Sequence, residues 1–172
     1  MNRENLWAPW RIEYIRAPKS GACVFCEALS AGDDRERLVL HRGARVFAIL
    51  NRYPYTAGHL MVVPNRHVGA LEDLSADEAG ELWAVAVQAK RALDAAFRPD
   101  GYNLGLNLGP AAGAGVKDHL HLHVVPRWGG DTNFMPVLGG VHVISQHLDE
   151  IYESLVPGFP GAPAKAQPQR GS

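Results

Sequence analysis

Asp118-His119-Leu120-His121-Leu122-His123-Val124-Val125-Pro126-Arg127 is the stretch whose reading decides the fold. Three histidines alternate with apolar residues and run into Val-Val-Pro, a period of two and therefore a strand signal. Successive strand side chains point to opposite faces, so His119, His121 and His123 share one face, roughly 6.5 Å apart along the chain. Leu120, Leu122 and Val124 take the other face. A helix would rotate the second and third histidine away from the first and build no common site. Imidazole titrates nearest neutrality, so three of them in a row can supply a nucleophile, an acid and a ligand. A single histidine here would read as a solvent-facing polar position; three in alternation read as a site.

Working outward, a glycine-rich loop, residues 109–115, feeds this stretch, and the alternation of residues 102–108 predicts a strand before it. Upstream the period changes to three and four. Ser75 followed by Glu78 forms a capping box, and Ala79, Leu82, Val85, Ala86, Ala89 and Leu93 predict the long helix of the protein, ending near Phe97 before Pro99 and Gly101. Strands are predicted over 37–41, 45–50 and 59–64, with Arg42-Gly43 as the first turn and residues 51–58 as a Pro- and Gly-bearing loop. A short helix is predicted over 25–31, stopped by Gly32, and a C-terminal helix over 145–155. Five strands around one long helix, without repeated strand-helix units, argue for an α+β fold: an antiparallel five-stranded sheet with one long helix, a short N-terminal helix and a C-terminal helix. The expected organisation is an N-terminal extension over 1–20 anchored by apolar residues such as Leu6, Trp7 and Trp10, one domain over 21–156, and a Pro- and Gly-rich disordered tail over 157–172.

At 172 residues the chain can bury a proper core, and 47% hydrophobic with 20% charged residues is the balance of a soluble globular protein. A formal net charge of -1 offers no global attraction to a nucleic acid polymer, so a nucleotide partner is expected to be small. The N-terminus has no apolar signal region and no long apolar run follows, which points to a cytoplasmic protein without a membrane span. Two cysteines, Cys23 and Cys26, are too close to staple distant parts of the fold. A C-x-x-C supplies half of a tetrahedral zinc site, and equally suits a redox pair or two buried thiols.

Glycines let a backbone approach a ligand and leave N–H groups for anionic oxygens. A phosphate lying between such amides and a row of imidazoles would be neutralised on one side and attacked from the other, which suggests phosphoryl or nucleotidyl transfer with a histidine nucleophile.

His119-x-His121-x-His123 followed by Val-Val resembles the signature of the histidine triad family, and the resemblance extends through Asn51 to His67, over the strand after Gly58-His59, and to Asn107. The flanks, Leu6-Trp7-Ala8-Pro9-Trp10 and residues 127–134, resemble the branch of that family with bacterial diadenosine tetraphosphate phosphorylases. The resemblance implies that His121 attacks an α-phosphorus to give a nucleotidyl-histidine, its other nitrogen bonded to the carbonyl of His119. It implies that His123 contacts the phosphate and aids the leaving group, and that His59 buttresses the triad. Asn51 falls where that family has a ribose-binding Asn or Asp, and the resemblance implies that Asn107 with the amides around Gly113 to Gly115 holds phosphates. Turn and strand-end chemistry account for both asparagines equally well. Zinc-containing members imply a structural zinc on Cys23, Cys26, His67 and His119. His41, His142 and His147 are left as packing or surface residues.

Hydrolase members carry Gln followed by Ser or Thr before the triad, where this chain has residues 113–118 as Gly-Ala-Gly-Val-Lys-Asp. That departure leans the acceptor toward inorganic phosphate and the activity toward phosphorolysis of diadenosine tetraphosphate to ADP, two per substrate. Hydrolysis of dinucleoside polyphosphates or nucleoside phosphoramidates is the alternative, with a catalytic metal site and a non-catalytic nucleotide-binding protein as competing readings. The resemblance also implies a homodimer.

Overall fold

The computed structural model describes residues 22–113, 115–131 and 146–160. Its elements, in chain order, are α1 (Val24–Ser30), α2 (Asp34–Arg37), β1 (Val39–Arg42), β2 (Val46–Leu50), β3 (Leu60–Pro64), α3 (Ala76–Phe97), β4 (Gly101–Leu106), β5 (Leu122–Arg127) and α4 (Leu148–Leu155). The strands form one sheet in the order β1-β2-β3-β5-β4, with every neighbouring pair antiparallel. This is the expected α+β architecture.

The sheet is apolar on both faces, because helices cover both. On one face Val46, Ala48, Leu50, Leu60, Val62, Leu122 and Val124 pack with Leu82, Val85, Ala89 and Leu93 of α3 and with Ile151 and Leu155 of α4. On the other, Val39, Phe47, Ile49, Met61 and Val63 pack with Phe25 and Ala28 of α1. The alternation of the histidine arm divides accordingly: Leu122 and Val124 enter the α3 side, and the histidines face the α1 side, where Phe25 lies against His119 and His121.

The start of α3 is as expected. Ser75 Oγ accepts from Glu78 N–H and the Glu78 carboxylate accepts from Ser75 N–H. Arg66, just past β3, donates to both Glu78 oxygens, at 2.9 and 2.8 Å, and so ties the strand exit to the helix start. Two glycines position the site by close approach. Gly58 sits at φ +79, and a Cβ there would stand 2.9 Å from Leu93, so only glycine turns the chain into His59 at this spacing. At Gly69 a Cβ would stand 3.1 Å from Asp118, where the chain enters the histidine arm.

Four expectations need correction. The histidine strand does not pair from residue 118: the ladder begins at Leu122. β3 ends at Pro64, which has no N–H, and its carbonyl is taken by His119; Leu120 N–H donates instead to Val68 O at 2.7 Å. The first strand begins at Val39 rather than 37, because Asp33 caps Glu36 N–H at 3.0 Å and closes the one-turn helix α2. The strand expected over 102–108 runs instead from Gly101 to Leu106 and frees Asn107. Residues 157–160, assigned to the tail, are folded: a turn of 3-10 helix spans Val156–Gly158 and Phe159 is buried in the core, stacked on His41 at 5.6 Å. The extension 1–20, residues 132–134, His142 and the tail from 161 lie outside the described residues. Among those described, no helix is long and apolar enough to cross a membrane.

Candidate active site

His121, at the mouth of β5, is 6% exposed. Its Nδ1 lies 2.8 Å from the carbonyl oxygen of His119. A carbonyl only accepts, so Nδ1 carries the proton and Nε2 is left with a lone pair. Burial lowers the pKa of His121, against that hydrogen bond, which keeps the neutral, nucleophilic form at neutral pH.

A second chain of hydrogen bonds fixes the other imidazoles. Tyr53 N–H donates to Asn51 Oδ1 at 2.9 Å, which turns Asn51 Nδ2 toward His59 Nδ1 at 3.3 Å. Tyr55 N–H donates to the same Nδ1 at 3.1 Å. With Nδ1 accepting, the proton of neutral His59 sits on Nε2 and is donated to His123 Nδ1 at 2.9 Å. The proton of His123 must then sit on Nε2, and that atom is buried without a hydrogen-bond partner among the described residues. An orphaned, buried N–H is costly unless something accepts from it, so it points to a ligand oxygen. Burial holds His59 down to about 3, with His123 and His121 adding to the shift, and burial followed by His121 holds His123 down to about 4. Both are therefore neutral over the physiological range. The loop is pinned to the strand by Thr56 Oγ1, which donates to Pro126 O at 2.9 Å, and the Tyr55 ring stacks on His59 at 4.6 Å.

Beside this relay, Cys23, Cys26, His67 and His119 converge, their ligand atoms all within 4.8 Å of one another. Cys23 caps α1 and Cys26 lies one turn on, so the helix places both thiols on one side. Cys23 Sγ and Cys26 Sγ stand 3.3 and 3.7 Å from His119 Nδ1, and His67 Nδ1 stands 3.3 Å from Cys26 Sγ. A tetrahedral zinc centre with two sulfur and two nitrogen ligands sets its ligand atoms about 3.3–3.8 Å apart. His119 Nε2 donates to Pro64 O at 2.8 Å, which leaves Nδ1 for a metal and fixes the ring as carbonyl partners of metal-bound histidines do. These four residues could hold a metal ion.

The triad and the metal group are thus brought together as the sequence suggested. The other expected ligand contacts are less so. Asn107 lines a cavity of about 380 Å³ next to His123, between β4, β5 and Tyr55. Asn51 does not line it; its amide serves Tyr53 and His59. Gly113, at φ +81, and Gly115 lie on the loop after the turn Pro110–Ala112, and neither lines this cavity. Asn103, Arg127 and Asp131 line the cavity and were not singled out by sequence; the signal was the alternation Gly101-x-Asn103-x-Gly105, a strand face emptied of bulk.

A HIT domain model matches residues 34–130, so it contains the whole histidine arm and begins after Cys23 and Cys26. An AP-4-A phosphorylase of Mycobacterium tuberculosis is 48% identical over 154 residues, covering 84% of this chain and 78% of that protein. A bifunctional bis(5'-adenosyl)-triphosphatase/adenylylsulfatase of Arabidopsis thaliana is 33% identical over 109 residues, 63% of this chain and 53% of that protein. Among solved structures, a Zn-bound histidine triad family protein from Mycobacterium smegmatis superposes with a TM-score of 0.65 at 28% identity, covering 81% of this chain and 94% of the other. A domain model spanning more than half of the chain, a relative sharing nearly half of its residues and a site of alternating, relay-bonded histidines agree: the chain belongs to the histidine triad, or HIT, family.

Proposed function

We propose that the protein is a nucleotidyl-transferring enzyme that works through His121, and that its substrate is a dinucleoside polyphosphate, diadenosine tetraphosphate in the first place. The observation that carries this is the bond from His121 Nδ1–H to the His119 carbonyl, which leaves Nε2 free to attack. In the first step a P–N bond forms between Nε2 and the α-phosphorus while the bond from that phosphorus to the bridging oxygen breaks. The proton on His123 Nε2 goes to the departing oxygen, and His59, locked by Asn51 and Tyr55, holds His123 in the tautomer that can give it. In the second step an acceptor oxygen displaces His121 and returns the proton to the relay. Asn107, with the loop at Gly113 and Gly115, is assigned to the phosphates, and Asn51 to the ribose as well as to His59.

The described part of the loop between Gly113 and Asp118 offers no hydroxyl or carboxamide side chain to activate water, which supports inorganic phosphate as the acceptor. Attack at the α-phosphorus releases ATP, and transfer of the adenylyl group to phosphate makes ADP. Phosphate balance therefore gives one ADP and one ATP per substrate, which corrects the two ADP expected above. Product analysis with and without phosphate tests this: ADP plus ATP appearing only with phosphate is expected, AMP plus ATP without phosphate would make the protein a hydrolase, and no turnover would overturn the enzyme reading.

The donor set Cys23, Cys26, His67 and His119 fits a structural zinc, since two thiolates and two imidazoles fill four positions and leave none open for catalysis. Bound there, the ion would join α1, the exit of β3 and the histidine arm, and fix the carbonyl on which His121 depends. A homodimer belongs to the same proposal, supported by the edge position of β4 and by exposed Trp83 and Val87 one turn apart on α3.

A further inference from the structure

The cavity beside His123 lies on the leaving-group side of the relay, and its floor is built from one face of two strands. The register places Gly105 opposite His123, Asn103 opposite Val125 and Gly101 opposite Arg127. A Cβ added at Gly101 or Gly105 would meet nothing within 4 Å, so the missing side chains are what hollow this face. At about 380 Å³ the space falls within the range of small-molecule sites. Its far end is not a phosphate cradle. Arg127 donates through Nη2 to Asp131 at 3.0 Å, through Nε to the same carboxylate, and through Nη1 to Asn103 Oδ1 at 2.8 Å, so its charge is already matched. An oxyanion placed there would face the Asp131 carboxylate. Neutral groups suit it better. Tyr55, 46% exposed although its ring is stacked on His59, offers an aromatic surface, Val125 an apolar floor, and the Asn103 amide nitrogen a donor for ring edges and hydroxyls.

We propose that this face, formed by Tyr55, Asn103, Gly105, Val125 and Arg127, is a subsite for the nucleoside of the leaving nucleotide, so that the protein selects substrates capped by a second nucleoside. The proposal rests on the nucleotidyl-transfer reading only for which end of the substrate lies here.

The test compares diadenosine tetraphosphate with adenosine 5'-tetraphosphate, which share the scissile bond and the polyphosphate and differ in the second nucleoside. Wild type should favour the capped substrate by about tenfold or more in kcat/KM, the scale of one stacked base. Gly105→Leu fills open space on a backbone without positive φ, and Asn103→Leu fills the end away from His123. Each should bring the capped-to-uncapped ratio to within about twofold of one. A wild-type ratio near one, or a ratio unchanged in both variants, overturns the subsite. Equilibrium binding of methylene-bridged analogues of the two compounds reads the same ratio without chemistry. If neither compound is turned over but the binding ratio behaves as stated, the transfer reading fails and the subsite stands.

Discussion

His119 meets two demands at once, and its position between β3 and β5 explains how. Its Nε2 is held by Pro64 O and its Nδ1 faces two thiols, while its own carbonyl accepts from His121. His121 and His123 then differ although both sit on one face of one arm: the first has a carbonyl for its proton and keeps a free lone pair, the second has an imidazole for its acceptor nitrogen and keeps a free proton. The division of labour predicts how substitutions depend on the substrate. His123→Ala should slow release of a nucleotide leaving group by about 100- to 10,000-fold, the range of one general acid. It should cost far less with a leaving group acidic enough to depart unprotonated, such as a nitrophenolate. Steady-state kinetics on the two substrate types checks this, and equal losses on both would remove His123 from the acid role.

At the scale of elements, α1 is tied down at its C-terminal end, where Arg42 of β1 donates to the carbonyls of Ala28, Leu29 and Ala31, and has less to hold its N-terminal end. It is seven residues long, its N-cap Cys23 makes no side-chain capping bond, and it touches the sheet through Phe25 and Ala28. Phe25 packs against His119 and His121, and the Cys23/Cys26/His67/His119 group joins the N-terminal end of the helix to the same arm. Removing a metal from this group, by chelation or by Cys26→Ser, should therefore lower the melting temperature first and reduce kcat through loss of the His119 carbonyl position. Calorimetry with metal analysis before and after chelation checks the order. Activity that disappears while the melting temperature stays constant would instead indicate a catalytic metal. The same scale shows what sequence could and could not disclose. Ser75 and Glu78 are local partners, so the capping box was legible. The one-turn helix at Asp33 was not, because four residues carry no apolar period, and the late start of β5 was not, because it depends on a proline in a strand more than fifty residues away.

Over the whole molecule, the sheet and long helix followed from alternation and from the three-four period. The cavity floor came from register, which pairs Asn103 with Val125 and Gly105 with His123 and which no local pattern states. Phe159 was hidden in a Pro- and Gly-rich segment whose composition reads as a tail, yet it completes the core under α3 and α4. Burying several neutral histidines has a global consequence. His59, near 3, and His123, near 4, are held below the ordinary histidine value of 6.5, so the unfolded chain takes up protons before the folded one. The stability they contribute is complete above about pH 6.5 and is lost as the pH falls toward their folded values. Denaturant titrations should show about 2 kcal/mol or more lost between pH 7 and pH 4.5, with a shallower loss in His59→Gln; a flat profile would mean that these imidazoles are charged in the fold.

The claim at the centre is that His121 becomes covalently bonded to a nucleotide. Rapid quenching of the protein with diadenosine tetraphosphate in the absence of phosphate, followed by peptide mass analysis under conditions that preserve a P–N bond, tests it most directly. An adenylyl group on the peptide holding His121, absent in His121→Asn and discharged as ADP when phosphate is added, is the expected result. Release of products with no modified peptide at any quench time, or the group found on another residue, would contradict it.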